Sequence, residues 1–202
     1  DNETGSFVMM SNDTTHSPTL LSEPDYTPSA SIDNTEYDKE HRQRVGADGS
    51  DARVKGEMEM VHYQVNMASL LKLGEWFDYL REEGVYDNTR IIIVSDHAWG
   101  LLQDPDLSIW ASETQNDDQK QTPVDLSSFN CMLLVKDFNA SGITMDSSFM
   151  TNADTPALAT EGLFKNARNP FTGNLLANPS AKEGEQHITY VKYFNPNDNN
   201  GY

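Results

Sequence analysis

The chain has very little cysteine and contains no long hydrophobic run. Its single cysteine, Cys131, excludes a framework of internal disulfides and leaves the redox compartment open. A transmembrane helix needs about 18 or more consecutive apolar residues, and no such stretch occurs in the sequence. The sequence therefore predicts one folded unit without an internal membrane span.

Positive charge is also scarce. The sequence has 14 lysines and arginines against 32 aspartates and glutamates, which gives a formal net charge of −18 at pH 7. The phosphates of nucleic acids and the headgroups of anionic membranes would repel such a surface. We therefore expect no nucleic-acid partner. The hydrophobic content of 37% is low, although it is compatible with one core over residues 1–202.

The most informative feature that is present is an apolar run ending in an Asp-His pair. Residues 91–94 are four branched aliphatics, which predict a strand buried on both faces inside a parallel α/β sheet. Such sheets place their chemistry beyond the carboxyl ends of the strands. Asp96 and His97 would lie there, and a carboxylate beside an imidazole is half of a metal site. Taken alone, such a pair is more often a polar strand end than a pair of metal ligands.

A long amphipathic helix is predicted over residues 58–83, before this strand. Apolar side chains recur there at spacings of three and four residues, and we interpret this stripe as core. Gly84 is typical of a left-handed helix terminator, and Gly74 inside the helix predicts close packing on a neighbouring element. The stripe consists of Met60, Tyr63, Met67, Leu70, Gly74, Phe77 and Leu80.

Residues 64–74, 79–89 and 91–97 together resemble the sulfatase branch of the alkaline phosphatase superfamily. In that family a helix leads through an Asp-Asn-Thr turn, here residues 87–89, into a strand that ends in Ser-Asp-His-Gly. The chain departs from this pattern after His97, where Ala98 and Trp99 replace the glycine. Residues 149–162 resemble a further family helix, in which we expect Asp154 to be the N-cap and Pro156 to lie in the first turn.

A second patch of the resemblance includes His16. Residues 7–10 are an apolar run that leads into Thr15-His16-Ser17-Pro18, similar to the family's loop in which a histidine faces the phosphate or sulfate of the substrate. The resemblance implies that His16 is a catalytic histidine, since a protonated imidazole can donate to an anionic oxygen. A loop histidine with a local hydrogen bond is the alternative.

The resemblance also implies a fold and a chemistry. We expect an α/β, alkaline-phosphatase-like three-layer fold that is partial, with a central, mostly parallel sheet flanked by helices. Strands near 7–10, 90–95 and 130–136 would share this sheet. Asp96, His97 and His16 would converge at one edge, where Asp96 and His97 bind a divalent metal ion (Ca, Mn or Zn) and His16 faces an anionic sulfate or phosphate ester.

The family's nucleophile (threonine, serine or a formylglycine made from cysteine) is not matched in this sequence. Cys131 lacks the formylglycine motif and is predicted to be a buried small hydrophobe. We therefore expect residues 1–202 to be the C-terminal part of a catalytic domain, without activity by itself, with the N-terminal half of the domain missing. Irregular insertions are expected near 18–56 and 103–128, and a strand is expected at 188–194.

Three functional interpretations remain open. The first is a sulfatase-like hydrolase, and the second is a phosphotransferase of the lipoteichoic acid synthase type. Both imply a bacterial parent protein anchored in the membrane, with this part on the extracytoplasmic face. The third is a non-catalytic binding domain that keeps the fold, an interpretation favoured by Ala98 and Trp99 because a tryptophan there would narrow the pocket. A calcium-binding loop of alternating carboxylates is not present.

Overall fold

A computed structural model describes residues 5–45, 49–101, 108–112, 121–177 and 182–186, with the backbone alone at 108–112 and 121–124. The predicted strand at 188–194 lies outside these residues. The elements in chain order are α1 (Thr35–Glu40), α2 (Glu57–Glu82), β1 (Ile91–Val94), β2 (Ser108–Ser112), β3 (Gln121–Asp125), β4 (Leu133–Lys136) and α3 (Thr155–Thr160). Short 3₁₀ turns at Leu126–Phe129 and Asn152–Asp154 precede β4 and α3.

Helix α2 confirms the predicted long helix and its termination. Acidic side chains in its first turn and Arg81 in its last turn both complement the helix dipole. The helix ends in a Schellman motif, in which Val85 N–H donates to the Leu80 carbonyl at 3.0 Å and Gly84 N–H donates to that of Arg81 at 3.0 Å. Gly84 has φ of +70°, the conformation in which glycine is favoured.

The buried face of α2 differs from the predicted apolar stripe. Val61, His62, Gln64 and Val65 are buried, whereas the stripe is half-buried or exposed. The predicted close packing at Gly74 is wrong, because a Cβ there would meet no atom of the described residues within 4 Å. Polar groups from another segment of the chain contact the N-terminal half of the helix. They bury residues that the spacing of apolar side chains does not assign to the core, and this explains the difference.

These polar contacts come from segment 18–56, which was expected to be an irregular surface loop. Leu21 N–H donates to Oε1 of Gln64 at 2.8 Å, and Gln64 is completely buried. Nδ2 of Asn34 donates to the Leu21 carbonyl at 2.8 Å, while its Oδ1 accepts from Glu23 N–H at 3.0 Å. The segment is thus fixed to α2 by hydrogen bonds in addition to apolar packing.

A buried arginine closes the same segment. Arg44 is 5% exposed and pairs with Glu23 at 2.5 Å and with Asp38 at 2.7 Å. It also donates to the His41 carbonyl and lies over the ring of Tyr37. Because the carboxylate of Glu23 is itself fully buried, this pairing removes the cost of an isolated buried charge.

The chain is a mixed α/β structure, as predicted, but its described sheets are small and antiparallel. Strands β1 and β4 pair from Ile91 opposite Lys136 to Val94 opposite Leu133, so the predicted strands near 90–95 and 130–136 do share one sheet. Strands β2 and β3 form a second antiparallel pair within the insertion expected at 103–128. Part of the predicted loop is therefore extended strand. A mostly parallel, three-layer sheet is not seen in the described residues.

The predicted strand at 7–10 is wrong. These residues form no regular structure, and Phe7 and Met9 are 80% and 87% exposed. An apolar run becomes a strand only where a neighbouring strand pairs with its backbone, and no ladder reaches it in the described part of the chain. Among the described helices, none is both long and apolar enough to span a membrane.

Two cations fasten the end of the sheet at which β1 begins. Arg90 contacts Asp137 at 2.8 Å and donates to the carbonyls of Leu158 at 2.9 Å and Glu161 at 2.6 Å at the end of α3. Lys136 donates to the Thr89 carbonyl at 2.9 Å and to that of Tyr86. We call this end, with Arg90, Lys136 and Asp137, the closed end.

Candidate functional site

The opposite end of the sheet carries the predicted Asp-His pair, and we call Ser95, Asp96 and His97 the open end. Strand β1 stops after Val94 because Ser95 turns its side chain to the neighbouring strand. Ser95 N–H donates to the Met132 carbonyl at 3.0 Å, and its Oγ accepts from Met132 N–H at 2.8 Å. This reciprocal pair extends the ladder by one residue and fixes where the loop begins.

The backbone of the loop is held from two further directions. Nδ2 of Asn152 donates to the Asp96 carbonyl at 2.9 Å, and the thiol of Cys131 contacts the same oxygen at 3.5 Å. Ala98 N–H donates to the Ser128 carbonyl at 3.0 Å. The carbonyl and amide groups around the pair are therefore used internally.

The two side chains, in contrast, point to solvent. Asp96 is 88% exposed and His97 is 56% exposed. Nδ1 of His97 lies 3.0 Å from the Ala98 carbonyl. Because a carbonyl only accepts, this contact favours the tautomer protonated at Nδ1, which leaves a lone pair on Nε2. Nε2 lies 3.8 Å from Oδ2 of Asp96.

The distance between the two side chains can be compared with that between two ligands of one ion. In a tetrahedral zinc site two ligand atoms lie about 3.4 Å apart at bond lengths of about 2.1 Å, and larger ions with longer bonds allow wider separations. A separation of 3.8 Å without a direct hydrogen bond is therefore compatible with two ligands of one ion. Across the described ranges, no group of three or more His, Cys, Asp or Glu side chains is arranged to hold a metal. The pair offers two potential ligand atoms, fewer than the three or four protein ligands of a typical zinc site.

The structure does not bring His16 into contact with this pair. His16 is exposed and ends a turn in which its N–H donates to the Asp13 carbonyl at 3.0 Å. Oδ1 of Asn12 fixes the turn by accepting from Thr14 N–H at 2.9 Å. Within the described part of the chain, no hydrogen bond or ion pair joins His16 to Asp96 or His97. The predicted convergence of the three residues stays a prediction.

Sequence reasoning missed the supporting residues. Cys131 was expected to be buried, but it is half-buried, with its thiol against the Asp96 carbonyl. The N-cap position of Asp154 is confirmed, although its carboxylate reaches back to Thr151 N–H at 2.7 Å in a capping box. That box positions the adjacent Asn152 beside the open end. The Thr-Asn-Ala-Asp sequence was the available signal for this turn.

A cleft lies beside the open end, where the chain continues through Ala98 and Trp99. It consists of a cavity of about 380 Å³ beside Trp99, here called the outer cavity, and a cavity of about 190 Å³ against α2, here called the inner cavity. The two share Ala52 and Leu101. The ring of Trp99 packs against that of His62 on α2, with 5.0 Å between the ring centres. We call this the Trp99 cleft.

Comparison of the chain with family models, curated proteins and solved structures gives no match. The functional assignment therefore depends on the motifs and on the geometry of the open end.

Proposed function

We propose that the chain is the C-terminal part of a metal-dependent, sulfatase-like hydrolase that acts on sulfate or phosphate esters. The observation that carries this proposal is the open end: a backbone held by Met132, Cys131 and Asn152 presents Asp96 and His97 to solvent. A ligand set is preorganised when the backbone that carries it is fixed and its polar side chains keep lone pairs available. The sequence resemblance supplies the reaction class.

Asp96 and His97 would each contribute one ligand to a divalent ion, which is Ca, Mn or Zn. Such an ion polarises an ester oxygen and supports the nucleophile when it is bound. The hydrogen bond of Nδ1 to the Ala98 carbonyl orients the imidazole and leaves the lone pair of Nε2 available, 3.8 Å from Oδ2 of Asp96. His16 would donate a proton to an anionic oxygen of the substrate.

The finer fold belongs to the same proposal. Strands β1 and β4 would form one margin of a larger three-layer sheet, whose parallel strands and nucleophile lie on residues outside this sequence. The parent protein would be anchored in a bacterial membrane, with this part on the extracytoplasmic face. This placement rests on the sequence resemblance alone.

Metal titration of the 202-residue chain tests the site without relying on activity. Zinc should shift the NMR signals of the His97 ring, with weak affinity because two ligands hold an ion poorly without their partners. Asp96→Asn or His97→Ala should abolish the shift, whereas Asp87→Asn, an exposed carboxylate near the closed end, should not. Equal binding by Asp96→Asn and the wild type would contradict the proposal.

Activity provides the second test. The chain by itself should hydrolyse neither aryl sulfates nor aryl phosphates, because the family's nucleophile is not matched in it. In a longer protein that is active, His97→Ala should reduce turnover by several orders of magnitude with the fold intact. Hydrolysis of a sulfate ester would favour the sulfatase interpretation. Transfer of an alcohol phosphate group to an acceptor hydroxyl would favour the phosphotransferase interpretation.

A non-catalytic binding domain is the second candidate, and Trp99 favours it. Ala98 and Trp99 stand where the family has glycine, and the half-exposed indole of Trp99 lies two residues after His97. In that case zinc binding at Asp96 and His97 would be absent, and Asp96→Asn would leave every function of the parent protein unchanged.

A further inference from the structure

The inner part of the Trp99 cleft has a lining of unusual charge. Four polar side chains of α2 lie on one helical face at spacings of three and four residues, and they line the cavity with Ala52, Val54 and Leu101. The polar set is Glu59, His62, Tyr63 and Asn66. Among the described residues, the lining of this inner part includes a carboxylate but no lysine or arginine, whereas the outer cavity beside Trp99 is lined by both Asp51 and Arg53.

His62 is the first observation that points to a ligand. The residue is only 7% exposed, and within the described structure its Nε2 has neither solvent contact nor a hydrogen-bond partner. Burial lowers the pKa of His62, so the imidazole is neutral at pH 7. A buried polar atom without a partner is costly, and a ligand or a water molecule is its usual partner.

Glu59 is the second observation. It is half-buried, and its carboxylate lies beside Gly56 at the N-terminus of α2. In the described residues no lysine or arginine pairs with it, although the same helix pairs other acidic groups with lysine or arginine at i,i+3. Asn66 uses its Nδ2 to donate to the His62 carbonyl at 2.7 Å, which leaves its Oδ1 as an acceptor. The cavity thus offers acceptors and one negative charge.

Trp99 completes the set. Its half-exposed indole packs against the His62 ring at the boundary between the inner and outer cavities. Indole is the aromatic group that attracts cations most strongly. The net charge of −18 would further raise the local concentration of cations.

We propose that the Trp99 cleft binds the primary ammonium group of a small organic cation, with Glu59 as the counter-ion and His62 and Asn66 as hydrogen-bond acceptors. The Trp99 indole covers the cation and gives way as the ligand enters. A neutral alcohol would satisfy the acceptors but not the charge of Glu59, and an inorganic anion would be repelled by it. This site does not depend on a metal at Asp96 and His97.

The experiment titrates n-butylammonium chloride into the 202-residue chain at pH 7.5 with EDTA present, which removes metal ions. NMR signals of the His62 ring and the Trp99 indole N–H should move along a saturable curve, with Kd on the order of 1 mM for so small a ligand. The neutral isostere 1-butanol should bind at least about tenfold more weakly.

Variants assign the interaction. Glu59→Gln should weaken butylammonium binding by about tenfold or more, because it removes the counter-ion. Glu57→Gln is the matched control, since this exposed glutamate precedes Glu59 by two residues on the same helix and does not line the cavity. If Glu59→Gln fails to fold, Glu59→Asp withdraws the charge by one methylene and should weaken binding to a smaller degree.

Three outcomes would overturn the proposal. Equal binding of 1-butanol and butylammonium would show that the cleft recognises apolar chains or hydroxyls. Unchanged binding in Glu59→Gln would place the cation elsewhere on this acidic surface. Absence of any saturable shift up to about fifty times the expected Kd would show that water alone partners His62. Failure of zinc binding at Asp96 would leave this proposal untouched.

Discussion

The two ends of the β1–β4 sheet differ in how they use their charged groups. At the closed end, the guanidinium of Arg90 and the ammonium of Lys136 bind a carboxylate and backbone carbonyls. At the open end, backbone groups form the hydrogen bonds, while the side chains of Asp96 and His97 remain exposed. One end of the sheet therefore uses its charged side chains for stability, and the other end leaves a carboxylate and an imidazole available to a ligand.

The pKa of Asp137 illustrates the first kind of use. The N–H of Phe138 and the guanidinium of Arg90 both donate to this carboxylate, and together they lower its pKa below the ordinary value. A carboxylate whose pKa is lowered by folding stabilises the folded state when it is ionised. A functional ligand has the opposite requirement, because it must keep its lone pairs available for a partner that arrives later.

The largest expected effect is at the closed end. Arg90→Ala removes the contact with Asp137 and the hydrogen bonds to the carbonyls of Leu158 and Glu161. We expect the free energy of unfolding to fall by about 3 kcal/mol, since hydrogen bonds from a charged donor are lost and the carbonyls at the end of α3 are left without that donor.

Urea denaturation measures this loss, and Lys72→Ala is the control. Lys72 pairs with Glu75 at 2.8 Å on the exposed face of α2, and removal of such a surface pair should cost less than about 0.5 kcal/mol. Similar losses in the two variants would show that the closed end does not stabilise the sheet.

Asp137→Asn should be less damaging than Arg90→Ala, because the carbonyls of α3 still hold the guanidinium. The advantage of the wild type should also depend on pH. The folded-state pKa of Asp137 is lowered, so its contribution is complete above the unfolded value of about 3.9 and is lost as the pH falls through the folded value. The denaturation midpoints of wild type and variant should therefore differ at pH 7 and approach each other near pH 3. A constant difference would contradict the assigned ionisation.

Local sequence predicted the elements that local chemistry determines. The length of α2, its stop at Gly84 and the strand at 91–94 follow from periodicity, a left-handed glycine and branched aliphatics. Asp154 occupies the predicted N-cap position two residues before Pro156, although its carboxylate bonds to Thr151 N–H and makes no hydrogen bond to α3. Each of these signals acts over a few residues, so tertiary context has little opportunity to override it.

Long-range pairing was less predictable. The hydrogen bond of Leu21 to Gln64 joins residues 43 positions apart and buries an amide that no amphipathic pattern assigns to the core. Residues 7–10 have strand-like composition but acquire no partner strand in the described structure. At the candidate site, Asp96 and His97 were visible as a motif, whereas Asn152 acts from 56 residues away and was visible only as part of a cap.

Asn152 provides the next test of the comparison. Asn152→Ala should lower the free energy of unfolding by about 1 kcal/mol, the typical value of one neutral hydrogen bond, here the one to the Asp96 carbonyl. It should also weaken zinc binding at His97, because the loop that presents the imidazole loses a restraint. Asn152→Leu is similar in size but has no donor, so it should reproduce both effects. Normal zinc binding in both variants would show that Asn152 stabilises the fold without positioning the site.

The smallest expected change in stability is at Asp96 itself. Its carboxylate is largely exposed and accepts a hydrogen bond from the N–H of His97, which the amide oxygen introduced by Asp96→Asn can also accept. Unfolding free energy should therefore change by less than about 0.5 kcal/mol in urea denaturation, while zinc binding is lost because the anionic ligand is gone. Loss of function without loss of stability is the opposite of what Arg90→Ala should show. If Asp96→Asn instead destabilised the chain as strongly as Arg90→Ala, the pair would be a structural strand end, and the two ends of the sheet would not differ in kind.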